Sequence, residues 1–167
     1  MAQAYGHIEE LESGLRVVVE RTLPYSVEEI WAAFTTPAGL KKWIGILRGS
    51  QASANLSFAM VDQGKEANPA TVNIHRCRAP YDLSLSTESE YGNWHLGIQL
   101  SRRGEESSLK FFHDLGASDD PRNIGPGWEY YMERVILALG NKSVDALVWD
   151  DFYPALAGHY TPKSPEK

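Results

Sequence analysis

The sequence predicts an α+β fold: a run of antiparallel strands, two small helices after an early strand, and one long helix near the C-terminus. Three observations predict it. Residues 125–140 (GPGWEYYMERVILALG) place Trp128, Tyr131, Met132, Val135 and Leu139 at the three- and four-residue spacing of one helical face. Most of the chain before them reads as short strand-like runs closed by turn residues. The connections between these runs are too short for parallel crossovers, which favours antiparallel neighbours.

In chain order, residues 7–11 and 15–23 flank Glu12-Ser13-Gly14 and read as a hairpin. Leu15, Val17, Val19 and Leu23 share a face with Arg21; Arg16, Val18, Glu20 and Thr22 form the other, expected to be half wet. Ser26 and Glu29 have capping-box spacing, and Val27, Ile30, Trp31 and Phe34 make the apolar stripe of a helix that Pro37 ends. A second short helix over about 38–43 offers Leu40, Trp43 and Ile44 to a core. Strands are expected over 54–61, 70–78, 82–89, 94–102 and 107–114. Their breaks fall at Asp62-Gln63-Gly64, Ala79-Pro80, Tyr91-Gly92-Asn93 and Arg103-Gly104-Glu105.

Residues 116–124 read as a loop. Gly125-Pro126 is expected to open the long helix and Gly140 to close it in a left-handed cap. Beyond it, Val148, Trp149, Phe152, Tyr153, Leu156 and Tyr160 are too apolar for a free tail. Residues 141–160 are therefore expected to pack on the same domain, with a short helix near 150–157 and fraying over 161–167. The whole reads as one domain over 1–160.

Composition excludes several function classes. Six more acidic than basic residues, with only Lys41-Lys42 and Arg102-Arg103 as adjacent basic pairs, give no basic face for nucleic acid. Cys77 is the only cysteine, so there is neither an internal disulfide nor a thiolate metal cluster. No apolar run approaches the ~20 residues of a membrane span, and the first residues lack the pattern of a signal peptide, so the chain reads as cytoplasmic.

The order of elements, and particular residues within it, resemble a known family. Arg21-Thr22-Leu23, the helix from Val27 through Trp31 and Phe34 to Thr35-Thr36-Pro37, and then Leu40-Lys41-Lys42-Trp43 resemble the opening of START-like (SRPBCC) proteins. Leu109–His113 resembles their last strand, and Gly127–Val135 the start of their last helix. Within that superfamily the pattern is similar to the branch related to the C-terminal domain of the activator of the heat-shock protein 90 ATPase. The resemblance implies a helix-grip fold, in which a curved antiparallel sheet wraps the long helix and a cavity commonly lies between them. Two features depart from it. Residues 50–54 stand where a glycine-rich turn is usual. Nothing matches the separate chaperone-binding domain of the eukaryotic activators, so no co-chaperone role is carried over.

On that resemblance the candidate ligand-binding residues are Trp31, Phe34, Trp43, Phe58, Ile98, Phe111, Trp128, Tyr131, Met132 and Val135, which could equally fill a core. His113 shares a face with Leu109 and Phe111 and could orient a ligand or act as acid or base; it could also be a satisfied histidine at the end of a sheet. Arg76 could clamp a ligand carboxylate if Val72, Ile74, Arg76 and Arg78 face inward, but the same strand could instead turn His75 and Cys77 inward. The five histidines show no ligand-like spacing, so no metal and no cofactor is expected. Three functions follow. The first is a binding protein for a hydrophobic or amphipathic small molecule. The second is an enzyme of the polyketide cyclase, dehydratase or hydrolase kind using His113, with Tyr131 or Arg76 beside it. The third is an interaction module, such as a homodimer joined through a strand edge or the aromatic segment 149–160.

Overall fold

A two-residue turn between β-branched runs makes the hairpin of β1 (Gly6–Leu11) and β2 (Gly14–Leu23), in which Leu11 pairs with Gly14. The structure, a computed structural model, describes residues 2–50, 52–90 and 92–162. Gln51, Tyr91 and the last part of the expected frayed tail, 163–167, lie outside them. The outer face of β2 is drier than expected: Val18 is fully buried along with Val17 and Val19. Phe112 stands opposite Val18 on the neighbouring strand, and the Arg16 guanidinium lies 4.4 Å from the centre of that ring. A cation over an aromatic face covers the apolar pair while keeping its own charge near water.

Ser26 caps α1 (Val27–Thr35), its hydroxyl accepting from Glu29 N at 3.1 Å. Thr36 ends that helix and caps α2 (Pro37–Lys41) by accepting from Gly39 N at 3.0 Å. The segment after α2 holds two strands that the pattern left unassigned, β3 (Gly45–Arg48) and the two-residue β5 (Lys65–Glu66), on either side of β4 (Ser57–Asp62). Both are too short to show alternation. Then come β6 (Ala70–Arg78), β7 (Asp82–Ser89), β8 (Gly92–Arg103) and β9 (Glu106–Asp114). Every pairing is antiparallel, in the order β1-β2-β9-β8-β7-β6-β4-β3, with β5 on β4.

The long helix, α3 (Pro121–Leu139), begins a turn earlier than expected. Asp120 accepts from Arg122 N at 3.0 Å and Pro121 occupies the first helical position, a complete start signal upstream of Gly125-Pro126. Gly125 and Pro126 therefore lie inside the helix. The C-terminal expectation also shifts by one residue. Gly140 has φ −88°, and Asn141 takes the left-handed conformation at φ 56°. Asn141 N donates to Ala138 O and Lys142 N to Leu137 O, which satisfies two of the last carbonyls. Gly140 instead serves close approach, since a Cβ there would come within 3.0 Å of the Tyr25 hydroxyl.

α3 lays Met132 and Val135, both fully buried, into one core with Val17, Val19, Leu109 and Ile30. This is the helix-grip fold. Residues 141–160 run back along α3 as three short 3-10 turns, Val144–Ala146, Trp149–Asp151 and Ala157–Tyr160, rather than the expected short helix. Pro154 has no amide to donate in the middle of that stretch. Phe152, Leu156 and Tyr160 are buried.

Candidate functional site

The sheet is not filled evenly. Under β1, β2 and β9 the core is packed by α3, whereas over β3, β4, β6, β7 and β8 it leaves a cavity of about 320 Å³. Trp31, Phe34 and Thr35 of α1, with Leu40, Trp43 and Ile44 around α2, form one wall. The sheet supplies the other: Leu47, Phe58, Val72, Ile74, Leu83, Leu85, Leu96, Ile98 and Phe111. From α3 only Trp128 reaches it. The hollow thus lies chiefly between the two small helices and the sheet, not along the long helix. The reason is that the α3 side chains expected to line it, Met132 and Val135, are spent in the solid core on the other half of the sheet.

Two clamps hold the helical wall. The Trp43 indole N–H donates to Ala33 O at 2.8 Å, and its ring meets Phe34 edge-on at 5.0 Å. Arg134 of α3 donates from Nε to Trp43 O at 2.7 Å, tying the end of α2 to the long helix. Among the described residues no lining side chain is charged. The polar ones are Thr35, which donates to Trp31 O at 2.7 Å, Thr87, Cys77 and the indole nitrogens.

Of the residues singled out in the sequence, Trp31, Phe34, Trp43, Phe58, Ile98, Phe111 and Trp128 line the cavity. Tyr131, Met132, Val135, His113 and Arg76 do not. Tyr131 lies tilted against Trp128, with ring centres 6.0 Å apart, and burial raises its hydroxyl pKa. Arg76 pairs in register with Ser84, between Leu83 and Leu85, so it faces the opposite side of the sheet, where it meets Asp82 at 2.8 Å. The register question on β6 had no single answer because the strand bulges at His75. The extra residue reverses the alternation. Val72 and Ile74 face the cavity before it, and Cys77 after it. His75 and Arg76 both stay outside, His75 sharing a 2.8 Å hydrogen bond with Ser86 and stacking 6.2 Å from His95. Alternation is the signal in the sequence for Leu83, Leu85 and Thr87; Cys77 belongs to the second of the two facings the sequence leaves open for β6, of which only Cys77 and not His75 reaches the cavity.

His113 adjoins the cavity without lining it. It is fully buried on β9, pairs in register with Leu96 and Val17, and accepts the Trp128 indole N–H on Nδ1 at 2.9 Å. The Trp94 ring lies 5.0 Å from it. Burial lowers its pKa to about 4, against weaker upward pulls from Asp119 and Asp114. The ring is therefore neutral at pH 7. With Nδ1 accepting, its proton sits on Nε2. That atom is the one buried side-chain nitrogen or oxygen among the described residues without a hydrogen-bond partner.

On the other side of α3, the buried Glu129 takes three donors on one oxygen: Tyr5 N at 2.8 Å, Gly6 N at 3.0 Å and the Tyr160 hydroxyl at 2.5 Å. His159 Nε2 meets Gly6 O at 2.6 Å. Burial and the adjacent Glu129 push the Tyr160 hydroxyl far above the usual tyrosine range, so it remains a donor. The Tyr160 ring fits against Gly125, where a Cβ would lie 2.2 Å from it, and its hydroxyl against Gly6. Tyr5 and Gly6 are thereby fastened to His159 and Tyr160 through α3.

Comparisons with known proteins agree with this architecture. The family model described as Activator of Hsp90 ATPase homolog 1-like protein matches residues 24–139. No curated protein sequence matches the chain. Among solved structures, CalU16 from Micromonospora echinospora superposes with a TM-score of 0.66 at 21% identity, covering 93% of this chain and 97% of that one. The Aha1 dimer from Colwellia psychrerythraea gives 0.59 at 17% identity, covering 74% and 95%. DynU16, a protein of the dynemicin biosynthetic locus, gives 0.62 at 17% identity, covering 77% of this chain and 49% of its own. At these identities the likeness is one of fold.

Proposed function

The chain belongs to the Activator of Hsp90 ATPase homolog 1-like family, and on that footing we propose that it binds an uncharged, predominantly apolar small molecule in the cavity between α1, α2 and the sheet. The observation that carries this reading is the hollow of about 320 Å³ walled by aromatic and aliphatic side chains, with no charged group among the described residues that line it. Its size falls in the range of about 300–1,000 Å³ common for ligand sites. An ionised ligand would lose its hydration there and meet no counter-charge, which costs several kcal/mol. One fold neighbour, DynU16, is described as a protein of the dynemicin biosynthetic locus, which is compatible with a small-molecule role.

The acid–base alternative finds less support. It placed Tyr131 or Arg76 beside His113, but Arg76 faces away from the cavity and Tyr131, tilted against Trp128, does not line it. A neutral fluorophore, N-phenyl-1-naphthylamine, tests the binding reading. It is expected to brighten and shift to the blue with the native chain and to lose that response in Leu85→Trp, which fills the cavity. Occupancy should also slow labelling of Cys77, the one thiol, which opens to solvent and lines the cavity. An unchanged response in Leu85→Trp would place the fluorophore elsewhere and defeat the reading.

A further inference from the structure

We infer that His113 is a positioning residue of the cavity: it holds the Trp128 indole in the wall by accepting its N–H, and so sets how tightly the cavity binds without touching the bound molecule. The inference rests on the cavity being the binding site. Among the described residues Trp128 is the one side chain of α3 in the lining, and His113 is not part of the lining. His113 therefore acts on the cavity through a neighbour, and the neighbour it holds by a directed bond is Trp128.

The need for an anchor comes from the hollow. The Trp128 ring is backed by Phe111, Tyr131 and Trp94, with ring centres 4.4, 6.0 and 6.2 Å away. Where it borders the cavity, no side chain packs against it. In a filled core, close packing fixes a ring; beside a gap those contacts are forfeited. A directed bond then has to supply the restraint. Trp128 Nε1–H gives that bond, reaching His113 Nδ1 at 2.9 Å. The opposite wall uses the same device, Trp43 Nε1–H reaching Ala33 O at 2.8 Å. Trp31, which is only half-buried, carries no such bond among the described residues, so two of the three lining indoles are tied and one is not.

His113 is a fixed anchor. β9 is paired on both sides, and His113 stands opposite Val17 of β2 and Leu96 of β8. Its ring is fully buried, with the Trp94 ring 5.0 Å from it. Burial keeps the imidazole neutral near pH 7, so Nδ1 keeps the lone pair that accepts the indole. An apolar side chain at 113 would leave the indole N–H buried with no acceptor, which disfavours its place in the wall about 5- to 150-fold. Binding then draws on the fraction of molecules whose ring is still in place, and the apparent dissociation constant rises as that fraction falls.

The test is a double-mutant cycle on the full chain, with N-phenyl-1-naphthylamine as the probe. His113→Leu and His113→Asn have nearly the same shape, but Asn puts an oxygen where Nδ1 stands. His113→Leu is expected to weaken probe binding about fivefold or more, and His113→Asn to stay within about twofold of the native chain. In a Trp128→Phe background, which has no N–H to hold, His113→Leu should weaken binding no further. A loss of equal size in that background would show that His113 acts by another route and would overturn the inference. Native binding in His113→Leu would overturn it too, and both results leave the cavity reading intact. One measurement needs no variant. The scalar coupling between Trp128 Nε1 and His113 Nδ1 across their hydrogen bond should be present in the native chain and survive saturation with the probe. Its disappearance on binding would mean that the ring leaves its anchor as the cavity fills, which also defeats the inference. If the probe does not bind the native chain, the cavity reading falls and this inference with it.

Discussion

Trp128 donates to His113 Nδ1, and burial holds that imidazole neutral down to about pH 4. In the unfolded chain the same group protonates near 6.5. The folded value is the lower one, so the unfolded state binds the proton first and stability rises with pH. Its contribution is whole above pH 6.5, is lost as pH falls from 6.5 toward 4, and changes no further below that. The full loss is about 3 kcal/mol. Urea unfolding at pH 7, 6, 5 and 4 should show it, and His113→Phe should flatten that part of the profile. A native chain equally stable across this interval would mean that the folded imidazole is protonated.

The elements are joined by close approach as much as by apolar area. α3 carries a glycine at 125 in its second turn, where alanine would ordinarily favour the helix by about 1 kcal/mol. Here a Cβ would stand 2.2 Å from the Tyr160 ring. Gly125→Ala is therefore expected to destabilise the protein and to release the 141–160 segment, read as faster proteolysis near Trp149. Tyr160→Phe keeps the ring in its slot and removes only the hydroxyl that Glu129 accepts. A lost bond to a buried carboxylate costs about 2 kcal/mol, or roughly 4–8 °C in Tm for a chain of this length. A larger effect of Tyr160→Phe than of Gly125→Ala would show that the hydroxyl rather than the ring does the fastening.

At the scale of the whole molecule the two tasks sit on different halves of the sheet. The cavity lies over β3, β4, β6, β7 and β8 under α1 and α2, and among the described residues none beyond Trp128 lines it. Gly6 of β1 and Tyr160 meet on the far side of α3 through Glu129. Deleting everything after Gly140 uncovers Gly125, Glu129 and Tyr130 and removes the buried Phe152, Leu156 and Tyr160. It should lower Tm by more than 10 °C, since three large buried side chains account for about 1.5–3 kcal/mol each. Whatever fraction stays folded should still bind the naphthyl fluorophore. Loss of binding in a folded truncated chain would show that the strap shapes the cavity. Among the described residues no helix is long and apolar enough to cross a membrane.

The sequence by itself determined the element order, five strands close to their observed limits, the Ser26 cap and the face of α3 that enters the core, because period and cap chemistry are local. It also determined the supply of aromatics, seven of whose singled-out neighbours and members meet around the cavity as Trp31, Phe34, Trp43, Phe58, Ile98, Phe111 and Trp128. Tertiary structure decided which half of the sheet stays hollow, because Met132 and Val135 were committed to the other half. It decided the facing of β6 through one bulge at His75, which no pattern of alternation encodes. It also decided the state of His113. A buried ring takes its proton position from the donor that reaches it, and Trp128 arrives from a helix fifteen residues further along the chain.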